Sequence, residues 1–108
     1  MSYFQPINRT AATASYGTGT TVSVADLLNG FISITGATPT ITLPTSAVLA
    51  AAIGNTEGLQ VFFRRLSTGV ATITRGGADT INLATTTTLA TLGDVTVLTL
   101  QGTDWQIS

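Results

Sequence analysis

Five carboxylates, Asp26, Glu57, Asp79, Asp94 and Asp104, and four arginines, Arg9, Arg64, Arg65 and Arg75, are the charged side chains of this 108-residue sequence. Histidine and cysteine are absent, which removes the usual neutral-pH general base, the commonest metal ligands and the thiol nucleophile together. A Ser-His-Asp triad cannot be assembled. The chemistry left to the carboxylates is narrow. A pair about 5 Å apart could cleave a glycoside with retention, and a loop cluster such as Asp79 with Asp94 could take calcium, although no EF-hand spacing is present. All five fall in or beside sequence turns, where aspartate commonly bonds its own backbone. The chain is therefore read as a non-enzyme with no cofactor and no metal site.

The remaining motifs that invite a chemical reading have plainer ones beside them. Gly17 to Thr21, GTGTT, resembles a phosphate loop, but Val22 stands where a third glycine belongs and the expected helix is lacking. Asn8-Arg9-Thr10 matches a glycosylation sequon in a chain whose start lacks the basic-then-apolar order of a signal peptide. Arg64-Arg65 could clamp a partner's carboxylate through paired hydrogen bonds or be an ordinary strand-end surface pair. With net charge −1 and dispersed arginines, there is no basic stripe to neutralise a phosphate backbone, and no nucleic-acid partner is expected. The longest apolar run, Ala47 to Ile53, falls far below the ~20 residues of a membrane span, so no membrane partner is expected and the chain is read as a soluble product made intracellularly.

Charged residues make up 8% of the sequence, and 23 positions are threonine while none is lysine. Threonine, branched at Cβ, suits a pleated, half-buried surface. A surface so poor in charge has little to keep copies apart, which points to coverage by like subunits or a partner. One domain is expected at this length.

Met1 to Thr21 is read as an extended N-terminal arm, with a strand across Ile7 to Tyr16 or else a frayed terminus, and residues 22–108 as a single β domain. Val22 to Leu28 reads as a strand and turn, with Asn29-Gly30 a hairpin signal. Ile32 and Ile34 alternate inward, as do Ile41 and Leu43, and Pro44 stops that ladder. Thr45 or Ser46 caps a two-turn helix over Ala47 to Ile53, with Val48, Leu49, Ala52 and Ile53 as its apolar face and Gly54 as its exit. So short a helix must lie against the sheet or plug an open end. Leu59, Val61 and Phe63 face one way, and Gln60, Phe62 and Arg64 the other. Phe62 on the outward face is either a subunit contact or half-covered by the chain's own loop or arm. Ala71, Ile73, Ile81 and Leu83 are expected inward, Val95 to Gln101 reads as a central strand, and Trp105 with Ile107 closes the fold. Strands of this spacing with glycine turns indicate an all-β fold, a β-sandwich or small barrel of jelly-roll type, with one short helix.

From Ala37 to Leu83, ATPTITLPTSAVLAAAIGNTEGLQVFFRRLSTGVATITRGGADTINL, and again in the ending LTLQGTDWQI, the sequence resembles virion structural proteins of tailed bacteriophages. The shared pattern is a TITLP strand, an alanine-rich helix, a glycine exit, a G-x-x-V-x-F strand and short threonine-rich β repeats. The resemblance implies a homotrimeric capsid cement (head decoration) protein on the virion surface, made in the host cytoplasm and partnered by itself and the major capsid protein. A tail-fibre or tail-spike domain binding a receptor or glycan is the alternative. Between Met1 and Ser108 there is no coiled-coil, collagen-like or shaft segment, which favours the cement protein. No catalytic residue carries over. The expected capsid or subunit contacts are Tyr3, Phe4, Ile7, Arg9, Tyr16, Phe62 and Arg64.

Overall fold

The computed structural model describes residues 14–107. In chain order the elements are β1 (Ala14–Tyr16), β2 (Thr20–Thr21), α1 (Val24–Asn29), β3 (Phe31–Ile34), β4 (Thr40–Thr42), α2 (Ser46–Ile53), β5 (Gln60–Arg65), β6 (Ala71–Thr74), β7 (Thr80–Ile81), β8 (Thr86–Leu89), β9 (Val95–Gln101) and β10 (Asp104–Ile107). The protein is mostly β, in two mixed sheets. The larger runs β1-β3-β5-β9-β10-β7 and the smaller β2-β4-β6-β8. Up to β6 the chain alternates between the sheets, and each strand pairs in parallel with the one laid down a turn earlier, Ile32 against Phe63 in the large sheet and Ile41 against Ile73 in the small. Three turns of chain thus stack on one another. Parallel neighbours need a crossover, and α1 and α2 supply parts of those connections. The later strands close the stack largely antiparallel: β9 on β5, β10 on β9 and β8 on β6.

Strand alternation sets the core. Ile32, Ile34, Val61, Phe63, Leu98, Leu100 and Trp105 from the large sheet and Ile41, Ala71, Ile73 and Leu89 from the small one belong to one buried cluster. The outer face of the small sheet carries the complementary threonines. Register aligns Thr40, Thr72 and Thr88 in one rank and Thr42, Thr74 and Thr86 in the next. Such cross-strand pairs each add a few tenths to about 1 kcal/mol.

Several expectations need correction. Val24–Asn29 is a second helix rather than the end of a strand: the Ser23 side chain accepts from the Asp26 amide, and Gly30 ends the helix with φ +89°. Within α2 the expected apolar face is not buried. Leu49 alone enters the core, whereas Val48 and Ile53 are exposed. Leu83 was expected inward with Ile81, yet it is 84% exposed, because the chain turns between them. Trp105 is fully buried, with its indole N–H unpartnered among the described residues, while Ile107 at the strand end is exposed. Of the expected arm, Ala14–Tyr16 and Thr20–Thr21 are edge strands of the two sheets.

One corner of the stack requires glycine. A Cβ on Gly36, at φ +84°, would stand 2.2 Å from the Gly17 carbonyl oxygen of the turn before, and one on Gly69, at φ +90°, would stand 2.4 Å from that of Ala37. Successive turns pass too closely there for any side chain.

Candidate interaction surfaces

Arg65 has the parity of Val61 and Phe63 along β5 and follows them inward, where it is fully buried. Both surface roles weighed for it are therefore excluded. Its Nε donates to Gly69 O (3.1 Å), Nη1 to Ile34 O (3.2 Å), and Nη2 is shared among Gly36 O, Ala37 O and Thr68 O at 2.7, 2.9 and 2.9 Å. All five acceptors are main-chain carbonyls of the glycine corner. One guanidinium, with donors in a fixed planar fork, ties the turn after β3 to the turn after β5. A buried charge is tolerable when its donors are met in this way.

The carboxylates are likewise committed to the frame. Asp79, 6% exposed, accepts from the Ser46 amide at 2.6 Å and its hydroxyl at 2.9 Å, holding the start of α2. Asp104 accepts from Thr80 Oγ1 and the Leu83 amide, Glu57 from the Gly102 amide and Asp94 from the Thr91 amide. Asp26 accepts the Tyr16 hydroxyl proton. Among the described residues no group of three or more metal-ligating side chains comes together.

Of the expected contact residues, Tyr3, Phe4, Ile7 and Arg9 lie outside the described residues. Tyr16 is half-buried in β1, packs against the core, and receives the Ser23 amide on the hydroxyl it gives to Asp26, linking β1 to the start of α1. Phe62 and Arg64 stand on the outer face of the large sheet, Phe62 40% exposed. The register brings them company that the one-dimensional pattern concealed. Phe31 lies directly opposite Phe62, their rings parallel within 1° with centroids 6.1 Å apart, inside the range of favourable aromatic pairs. Val97 flanks Phe62 on its other side, and Val95 lies opposite Arg64. The result is an outward apolar strip across β3, β5 and β9 with one arginine at its border.

Two further surface features had no sequence-level assignment. An open groove of about 490 Å³ is lined by residues following β2, β4 and β6, among them Val22, Leu43, Pro44, Gly76 and the exposed Val48. Beside it α2 presents Ala47, Val48 and Ala50 to Ile53 outward with no charge. The second feature is the tip between β7 and β8. Ile81 and Ala84 exchange main-chain hydrogen bonds across a two-residue turn in which Asn82 and Leu83 both have positive φ, 53° and 66°. That geometry favours Asn-Gly, and a leucine in the left-handed region costs roughly 1–2 kcal/mol.

The chain matches no known protein-family model, no curated protein and no solved structure.

Proposed function

We propose that this chain is a structural protein of a tailed-phage particle, a capsid cement protein that associates with itself, with a homotrimer as the assembly, and binds the outer shell formed by the major capsid protein. The observation carrying this reading is the outward strip of Phe31, Phe62 and Val97 beside Arg64 on the large sheet. Apolar area placed across three adjacent strands of a protein with 8% charged residues is what an interface core looks like before its partner is added. The two sheets, sharing one core, are read as the layers of a small sandwich. Use of the buried arginine and of the carboxylates as frame ties supports a packing role over catalysis.

In this reading the N-terminal stretch around Tyr3 and Phe4 lies on capsid subunits while self-association multiplies the grip of each copy. Electron microscopy of particles made with and without the protein tests the assignment: density on the outer shell that disappears with the protein supports it, and identical shells refute it. The stacked parallel turns of β1 to β6 favour one second reading, a tail-fibre or tail-spike domain, because elongated fibres grow by repeating such turns. Specific binding of the isolated protein on a glycan array would favour that alternative.

A further inference from the structure

The apolar strip on the outer face of the large sheet is a narrow lane. Phe31, Phe62 and Val97 cross β3, β5 and β9 in a single rank. The rank on one side is polar, with Gln60 donating to Thr99 and Gln106 beside them. The rank on the other side holds Ser33 and Arg64 before it reaches Val95. The lane is therefore one residue deep, the width of a single extended segment, and its Phe31 end adjoins β1, the edge strand of the sheet.

We infer that the lane is covered in the free protein by the chain's own segment Met1 to Thr13, which competes there with a second copy. The point of attachment carries this inference. Strand β1 runs parallel to β3 with Ala14 opposite Ile32 and Ser15 opposite Ser33, so the position before Ala14 has the outward parity of Ser15 and falls beside Phe31. Strand β3 begins there, directly after Gly30 ends α1, and its ladder offers nothing further back to pair with. The segment thus joins the sheet at the mouth of the lane. Its length suffices. Ile7 stands seven residues before Ala14 and can be carried up to ~23 Å by extended chain, whereas Val97, three strands in from β1, is only ~14 Å away at the usual strand spacing. Its chemistry also fits: it brings Tyr3, Phe4 and Ile7 and no acidic side chain to an apolar surface. Tethered so close, these side chains meet the lane at an effective concentration on the order of millimolar, while a second copy must reach it from solution.

Under the proposed function the segment becomes a cover that assembly lifts. Seated on a shell, it leaves the lane to a neighbouring copy, so shell binding promotes self-association. The covering rests on the strip and the register alone, and this coupling rests on the proposed function.

The sequence has no cysteine, so Ser2→Cys gives a single attachment point for a nitroxide spin label. In isotope-labelled full-length protein the nitroxide is expected to broaden the amide signals of Phe31, Phe62 and Val97 more than that of Thr72 on the other sheet. In an equal mixture of spin-labelled protein and isotope-labelled protein without the spin label, at the same total concentration, no such broadening is expected. Broadening as strong in the mixture, or absent from both samples, overturns the covering by the chain's own segment. Sedimentation of the chain lacking Met1 to Thr10 tests the competition. Its dissociation constant is expected about tenfold below that of the full chain, as when a lane open about a tenth of the time becomes always open, and Phe62→Asp in the shortened chain is expected to abolish the gain. Equal association of the full and shortened chains overturns the competition. A protein monomeric in both forms overturns the proposed self-association, while the spin label still decides what covers the lane.

Discussion

Arg65 is the side chain that ties the turn after β3 to the turn after β5. Its five hydrogen bonds all end on carbonyls of two neighbouring turns, so Arg65→Met would leave the part-buried carbonyls of Gly36, Ala37, Thr68 and Gly69 without these donors, while that of Ile34 keeps the Leu66 amide. A loss of about 2–4 kcal/mol is expected in urea unfolding, from several unmet carbonyls at 1–3 kcal/mol each less relaxation and water entry. Arg65→Lys is expected to recover little of it, because a single ammonium cannot reproduce the planar fork. Asp79→Ala is expected to cost less, about 1–2 kcal/mol, by releasing the Ser46 amide and hydroxyl at the start of α2. The position of Arg65 was legible in principle. Alternation through Val61 and Phe63 already directs it inward, but an arginine beside Arg64 reads as surface unless its acceptors are known, and those come from turns 28 to 31 residues earlier as well as from its own.

At the scale of elements, threonine and aliphatic alternation made the strands legible, and the inward positions of Ile32, Ile34, Ile41, Leu43, Val61, Phe63, Ala71 and Ile73 follow from it directly. Two things were not legible. Helix α1 is a six-residue segment whose only local signals, Ser23 before Asp26 and Asn29-Gly30 after Leu28, serve equally well in a hairpin. The stacking of turns, and with it the Phe31-Phe62 pair, depends on register between distant segments, which no local pattern encodes. Leu83 was misplaced because its parity with Ile81 holds only if the strand continues, and Asn82 turns it. The glycine corner offers a direct check on the stacking. Gly36→Ala must meet both a positive φ and a carbonyl oxygen 2.2 Å from the new Cβ, whereas Gly58→Ala, at φ +81° with nothing within 4 Å, meets only the first. Chemical denaturation is expected to show a loss of about 1 kcal/mol for Gly58→Ala and a several-fold larger one for Gly36→Ala.

For the whole molecule, the aromatic strip and the N-terminal stretch make separable contributions under the proposed function. Phe62→Asp, at a 40% exposed site, is expected to cost the monomer about 1–3 kcal/mol, through the lost stacking on Phe31 and the poor strand propensity of aspartate, and to weaken association in light scattering at concentrations where the variant remains folded. Removal of Met1 to Thr10 is expected to abolish shell binding in co-sedimentation with trimers intact; unchanged binding would remove the arm from the mechanism. The strand order also sets a timetable. Strand β9 lies between β5 and β10 in the large sheet, so β5 has no antiparallel neighbour until residues 95 to 101 have left the ribosome. Until then Val61, Phe63 and the β5 edge remain open to any other strand, and pairings this distant in sequence close slowly. The large sheet is therefore completed only after synthesis reaches its late strands, and copies made side by side compete with their own β9 for that edge.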